Sequence, residues 1–448
     1  MKKVLLFITT AFMSLSAATV SAQESNVIEL DLQQAVAIAM SENPTIKIAN
    51  MEIERQDWVR KETASNLLPS LSAVGSYERT VVKTEMAKGL SFGADNTWTG
   101  NASLSVPLFV PTVYQMLKMN RVQMATAVES TRASKITLEC EVKKAYYNIL
   151  LAQQSLVVLH KSRDMIQETV NNTQEMFNNG LASEYDLLSA QVQLSSLRPT
   201  ILQTETSIES AKLLMKMYLG LPEDIDIVLK GNLDSFVDQV MQSGSSFDTD
   251  ISNNTNLKSL ELQSQLLNEQ LKLTKAQRMP TIAAFGSATI TGNDMKMNFD
   301  FGGMGGDSNT DDGGRYWWQN PMSAGVNVSI PLFSGFANTR KAKEIRTSIS
   351  QLDMQQQYLE QSLNVQVRNA INTILTARES IYSNEVTVQQ AEKAYKIATA
   401  RYNAGGGTIL ELNSSELAFT EAKLNYSQAI YNYLSAVADY EQILGKNY

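Results

Sequence analysis

The chain has 448 residues, a formal net charge of −8, a hydrophobic fraction of 43% and a mean hydropathy of −0.18. An acidic chain does not suit nucleic acid as a partner. Cys140 is the only cysteine and His160 the only histidine, which excludes an intrachain disulfide and a Cys/His metal cluster. A Ser-His-Asp triad would need His160, which stands beside Lys161 and Arg163 and reads as a solvated surface residue. Cys140 reads as a small helix-packing residue. With no catalytic constellation and no residue set that asks for a cofactor, the chain is not expected to be an enzyme.

The first element is an export signal. Lys2 and Lys3 precede a short apolar stretch from Val4 to Phe12, and Val20-Ser21-Ala22 supplies a small-residue site for cleavage near Ala22-Gln23. A spanning helix would need about 20 apolar residues.

Beyond the export signal the chain is duplicated. Val142-Lys143-Lys144-Ala145 corresponds to Val367-Arg368-Asn369-Ala370, Phe177-Asn178-Asn179-Gly180 to Tyr402-Asn403-Ala404-Gly405, and Leu219-Gly220 to Leu444-Gly445. Val106-Pro107-Leu108-Phe109 corresponds to Ile330-Pro331-Leu332-Phe333, and Leu68-Pro69-Ser70-Leu71 to Met279-Pro280-Thr281-Ile282. Residues 23–232 form a first repeat: a helix, strands at about 68–84 and 97–108, and a helical hairpin at about 112–219. Residues 233–253 link it to a second repeat, 254–448, with a helix, strands at about 280–300 and 316–331, and a hairpin at about 335–444. Such a unit is far longer than a solenoid repeat, so function should lie in what two similar halves build together.

The strands alternate strictly. Thr97, Thr99, Asn101, Ser103 and Ser105 share one face, and Trp98, Gly100, Ala102, Leu104 and Val106 the other. Leu71, Ala73, Gly75 and Tyr77 oppose Ser70, Ser72 and Ser76; Met322, Ala324, Val326, Val328 and Ile330 oppose Ser323, Gly325, Asn327 and Ser329. The strand from Ile282 to Ile290 carries apolar residues on both sides. One apolar and one small-polar face is the transmembrane β-barrel pattern, although a soluble sandwich alternates too. Trp98, Tyr316, Trp317 and Trp318 sit near strand ends, as membrane-interface aromatics do. In the glycine-rich loop 302–314, Asp307, Asn309 and Asp311 share the spacing of a calcium loop, but Asp312 and Trp318 replace its glycine and glutamate. A solvated loop is the expected reading.

Between the strands run proline-free stretches, Thr112 to Asn178 and Ala337 to Asn403, each about 100 Å long if helical. The second carries a 3/4 seam: Ile345, Ile349, Leu352, Leu359 and Leu363, then Val367, Ala370, Ile374, Ala377, Ile381, Val388, Ala391, Tyr395, Ala398 and Tyr402. That is coiled-coil packing with one stutter. An isolated coiled-coil stalk would explain these heptads but not the strands. Gly180 and Gly405 end the long helices, and Ser183 and Thr408 cap the returning ones. Pro199 has no proline counterpart and is expected to bend its helix.

Four strands cannot close a barrel, and an open edge in lipid leaves backbone groups unpaired. Three chains would supply twelve strands and a lumen. The long helices carry charge along their outer faces, so they must project away from the bilayer.

These landmarks together resemble the TolC family of outer-membrane efflux proteins across nearly the whole mature chain. The carriers are the duplicated Pro-Leu-Phe junctions, the hairpin tips, and the opening run from Leu30 to Ala39 with Asn43-Pro44. The resemblance implies a mainly α fold with a transmembrane β-barrel, built as a homotrimer in the outer membrane of a Gram-negative bacterium and reaching into the periplasm. It further implies a passive conduit for drugs, toxins or peptides, working with a periplasmic adaptor (membrane fusion protein) and an inner-membrane pump of RND, ABC or MFS type. By the same resemblance Gly180, Leu181, Ser183, Gly405, Gly406, Gly407 and Thr408 form adaptor-docking tips. Glu411, Ser414, Tyr402 and Asp186 become pore or gate residues. Ser414 stands where the family has a second aspartate, and Gly407 where an arginine partner is expected, so the family's gating bonds need not carry over.

Overall fold

The computed structural model describes residues 27–87, 90–237, 247–294 and 317–446. The export segment 1–22, Tyr316 and the 302–314 loop lie outside the described residues. The first half runs β1 (Val27–Leu30), α1 (Leu32–Glu42), α2 (Pro44–Ser65), β2 (Ser70–Arg79), β3 (Thr84–Ala87), β4 (Leu90–Phe92) and β5 (Asn96–Phe109). It ends in the hairpin of α3 (Pro111–Asn178) and α4 (Glu184–Leu219). After β6 (Asp226–Leu229) and a 3-10 turn (Leu233–Phe236) come α5 (Thr255–Ala276), β7 (Thr281–Asn293), β8 (Trp317–Gln319) and β9 (Met322–Ser329). The second hairpin is α6 (Ala337–Asn403) and α7 (Ile409–Leu444).

Among the described residues, two compact units draw on both repeats: one holds 27–44, 138–237 and 372–439, the other 45–87, 90–137, 247–294, 317–371 and 440–446. In the first unit, β1 pairs in parallel with β6, Val27 facing Asp226 and Leu30 facing Leu229. These four-residue strands are too short for periodicity to reveal. Tyr146 of α3 lies beneath them, 1% exposed, and its hydroxyl donates to the Lys230 carbonyl. Asp31 and Gln34 form a reciprocal capping box that starts α1.

The seam of α6 is buried or half-buried at every position of the 3/4 pattern, with Ile374 and Ile381 at 1% and 0% exposure. Pro199 lies inside α4, which continues through it as one helix. Cys140 is buried near Asp439, as a packing residue is, and burial pushes its thiol up to about 11, which disfavours the reactive thiolate. His160 departs from the surface reading. It is half-buried with a buried Nδ1, because its α3 position directly follows the buried Val158 and Leu159.

In the second unit the sheet order is β2-β5-β7, with β8 and β9 both on the far side of β7. β8 and β9 keep one register against β7 across Pro321, which has no N–H to give a ladder, so they act as one interrupted fourth strand. The first strand stops at Arg79, earlier than expected, and β3 and β4 form a separate small hairpin. Asn120 of α3 donates to Thr63 Oγ1 of α2 at 2.6 Å, and Thr131 of α3 to the Ala49 carbonyl at 3.1 Å.

Candidate functional site

The hairpin tips are two copies of one turn. Gly180 and Gly405 take φ of 71° and 73°, a region that costs an L side chain but not glycine. Leu181 N–H bonds the Met176 carbonyl and Gly180 N–H that of Phe177; Gly406 and Gly405 repeat this with Arg401 and Tyr402. Ser183 Oγ accepts from Asp186 N–H at 3.2 Å while the Asp186 carboxylate accepts from Ser183 N–H at 3.1 Å. Asp186 therefore serves as a cap in this chain. On the other tip Thr408 Oγ1 accepts from Glu411 N–H at 3.2 Å.

Between the tips lies a small core of Ala190, Tyr402, Ile409 and Leu412, with Val170, Met176, Tyr395 and Ala398 packed on it. Tyr402 is 5% exposed, its hydroxyl lies 3.1 Å from Thr173 Oγ1, and desolvation pushes its pKa up. Gly407 sits against backbone: a Cβ there would lie 3.1 Å from Tyr402 N. No arginine fits at that point without a shift. Arg401 supplies the cation instead, donating to the Gly406 carbonyl at 3.2 Å and approaching Glu411 Oε2 at 3.8 Å.

Tyr185, Leu188, Val192, Leu410, Ser414 and Leu417 line a groove of about 520 Å³ between α4 and α7. Of these, Tyr185, Val192 and Leu410 are 67–71% exposed. Exposed apolar surface of this kind marks an interaction site.

Sequence reasoning passed over Glu416. It is 1% exposed on α7; Ser162 of α3 donates to its Oε1 at 3.3 Å, and its Oε2 has no partner. Burial pushes its carboxyl up to about 7. The signal was present in the spacing, since Ile409, Leu412, Glu416 and Phe419 continue a 3/4 seam that places a carboxylate among buried residues.

In the second unit, rows of like residues cross the sheet. Ser72, Ser103, Ser287 and Ser323 face one another in sequence across β2, β5, β7 and β9. Ser72 bonds Ser103 and Ser287 bonds Ser323, each at 2.7 Å, and Asn101 donates to Thr289 at 3.1 Å. On the opposite face Tyr77, Trp98, Gly292 and Trp318 share a row, with Tyr77 and Trp98 rings 4.5 Å apart. A Cβ at Gly292 would meet the Trp318 ring at 2.7 Å, so glycine there seats the aromatic. Trp98, Trp317 and Trp318 are 47%, 67% and 56% exposed. The ambiguous strand resolves in this register: Phe285 lies on the serine face opposite Gly325, over which its ring packs at 3.1 Å from a built Cβ.

Residues 35–221 and 248–446 match the outer membrane efflux protein family. The chain belongs to that family. Among this efflux protein's relatives is the alkaline protease secretion protein AprF of Pseudomonas aeruginosa, 24% identical over 88% of this chain and 80% of that one. The outer membrane protein TolC of Escherichia coli is 21% identical over 88% of this chain and 78% of its own. Solved structures carry the same fold. CusC superposes with a TM-score of 0.76 at 15% identity, covering 96% of each chain, and VceC of Vibrio cholerae with 0.70 at 15%, covering 93% and 96%. The efflux protein is thus an outer-membrane channel of the efflux and secretion type, a passive duct and not an enzyme. Its family supplies the outer-membrane component that works with adaptor and pump.

Proposed function

We propose that three copies of this chain close a twelve-stranded barrel in the outer membrane and that the hairpin tips gate its periplasmic mouth. The observation that carries the reading is the four-stranded sheet itself. Both outer strands are exposed along almost their whole length, one face is apolar with an aromatic row, and the other bears a serine row. Unpaired strand edges in hydrocarbon cost several kcal/mol per group, and twelve strands enclose a lumen where eight would be filled by side chains. The leader is removed near Ala22-Gln23.

The groove between α4 and α7, with Gly180, Leu181, Ser183 and Gly405 to Thr408 at its end, takes the helical tips of a periplasmic adaptor, which couples the duct to an inner-membrane pump. Tyr402, Asp186, Glu411 and Ser414 belong to the gate. Tyr402 holds the two hairpins together through Thr173, and Glu411 places charge at the mouth.

The test is the detergent-purified mature protein. It is expected to have the mass of three copies and to conduct in planar bilayers. A monomer that stays soluble without detergent overturns the proposal.

A further inference from the structure

All four strands of the sheet meet helices at one common end: β2 follows α2, β5 leads into α3, β7 follows α5 and β9 leads into α6. The height of the apolar face fixes where that end lies. From Trp98 to Leu108 strand β5 rises about 33 Å, or about 25 Å along the axis of a barrel whose strands tilt by about 40°. That is the height of the apolar band on an outer-membrane barrel. With the aromatic row of Tyr77, Trp98 and Trp318 at one headgroup layer, the helix-bearing end meets the other.

The chemistry at this end is strongly basic in the second repeat. The first ten residues of α6 carry Arg340, Lys341, Lys343 and Arg346 against the one acid Glu344, whereas the first ten of α3 carry Lys118 alone. Arg340, Lys341 and Lys343 are exposed, while Ile345 is 3% exposed and turns the opposite helix face inward. Arg278, just past the end of α5, joins them. Its Nη2 donates to Thr339 Oγ1 at 2.9 Å, which holds the guanidinium beside the start of α6. Among the described residues Glu344 pairs with Lys341 at 2.7 Å, and no carboxylate pairs with Arg278, Arg340 or Lys343. The other end of the sheet, beside the aromatic row, carries the carboxylates of Glu78, Asp95 and Asp294 instead.

An apolar cluster stands next to these cations. Leu332, Phe333 and Phe336 are 92%, 76% and 62% exposed, and the two phenyl rings meet edge to face with centroids 5.4 Å apart. Phe336 has a φ of 61°, the one non-glycine residue at positive φ among the described residues. Left-handed backbone is costly for so bulky a side chain. Strain that leaves two rings in water gains nothing there, but it is offset where the rings enter acyl chains.

We propose that the β9–α6 junction is a docking surface for anionic phospholipid. Leu332, Phe333 and Phe336 enter the acyl boundary, and Arg278, Arg340 and Lys343 meet the headgroup phosphate and its net negative charge. This rests on the barrel reading above and adds to it the class of lipid that its periplasmic rim selects.

The experiment counts lipids retained per trimer by native mass spectrometry. The detergent-purified mature protein is incubated with equal amounts of phosphatidylglycerol and phosphatidylcholine, which share acyl chains and a phosphate but differ in net charge. Wild type is expected to retain phosphatidylglycerol several-fold over phosphatidylcholine. Arg340→Gln with Lys343→Gln, which leaves the Arg278 bond in place, should cut that preference at least by half. Lys393→Gln with Lys396→Gln, the same change in charge near the tip of α6, should leave it intact. A trimer that retains both lipids equally overturns the docking surface and leaves the trimer standing. So does a preference that survives the first double variant or falls equally in the second. Loss of the lipid to an equimolar amount of inorganic phosphate assigns the cations to the free ion and likewise overturns the proposal. A protein with the mass of one copy, soluble without detergent, overturns the barrel reading and this surface with it.

Discussion

Asn43 donates its side-chain Nδ2 to the Tyr218 carbonyl at 2.8 Å, and the duplicated residue Asn254 does the same to the Ile443 carbonyl at 2.7 Å. Each asparagine thereby ties the segment before the first long repeat helix to the last turn of the returning hairpin helix. The carbonyls it takes are among the four that a helix C-terminus leaves without an internal partner. Both asparagines are buried, at 5% and 3% exposure. Asn43→Ala and Asn254→Ala are each expected to cost about 1–3 kcal/mol through the orphaned carbonyl. Thermal unfolding in detergent should show both, and a melting temperature unmoved by either would remove these bonds from the account.

The same closures predict a sharper effect at the glycines beside them. Gly220 and Gly445 have φ of 69° and 66°, and a Cβ would lie 2.7 Å from the Glu42 carbonyl oxygen and 2.2 Å from that of Asn253. The obstacles are backbone atoms, so neither can simply rotate away. Gly445→Ala should destabilise more than Gly220→Ala, and each by more than the roughly 1 kcal/mol that left-handed backbone alone costs alanine. Equal melting temperatures for wild type and both variants would contradict the close approach.

Tyr402 and Thr173 join the two hairpins by one buried hydrogen bond at 3.1 Å. Tyr402→Phe keeps the ring in its apolar cluster and leaves the threonine hydroxyl alone, an expected loss of about 1 kcal/mol. Thr173→Val removes the other partner, and the double variant should cost less than the sum of the singles. If the bond holds the mouth shut, Tyr402→Phe also raises open probability in bilayer recordings. Strict additivity of the two substitutions would show that the hydroxyls are not coupled.

Long-range architecture was legible because it is written in periods. Seam residues such as Ile374 and Ile381, the alternating Thr97–Val106 strand and the repeated tips all follow from spacing that backbone geometry imposes. The illegible parts depend on neighbours that the period does not name. The four-residue strand β1 exists through pairing with β6, almost two hundred positions away, and Phe285 sits on the serine face because Gly325 leaves room for its ring. Arg401 meets Glu411 through the turn of the tip and not through the position at which the family resemblance looked for a cation. Glu416 reads as a surface residue when charge is weighed above periodicity, and as a seam residue when the order is reversed.

Glu416 makes stability depend on pH. Its folded carboxyl titrates at about 7, above the ordinary glutamate value of 4.5. The groups around it are Ser162 from α3, Thr420 on its own helix and Tyr395 from α6, whose own pKa is raised mainly by burial and in part by Glu416 and Glu168. Among the described residues no cation offsets the burial. Since the folded state holds the proton more tightly, folding takes up a proton between these two values. The buried charge therefore costs nothing below about pH 4.5 and its full penalty above about pH 7, at most on the order of 3 kcal/mol. Glu416→Gln should raise the melting temperature at pH 8, leave it nearly unchanged at pH 5, and flatten the slope between. A variant with the wild-type slope would place the titration elsewhere.

Glu411 and Arg401 should act on ion selectivity in opposite directions. Their contact is loose, at 3.8 Å with both side chains more than half exposed, and pairs of that kind contribute only about 0–1 kcal/mol to stability. Removing either one should therefore leave folding intact and change the field at the mouth. Glu411→Gln is expected to lower the cation-to-anion permeability ratio, read as a shift in reversal potential across a salt gradient. Arg401→Gln frees the carboxylate from its neighbour and should raise that ratio. Block by multivalent cations should follow the same order, weakest in Glu411→Gln and strongest in Arg401→Gln. If neither reversal potential nor block moves in either variant, Glu411 does not face the pore, and the charge that sets selectivity lies on another ring of residues.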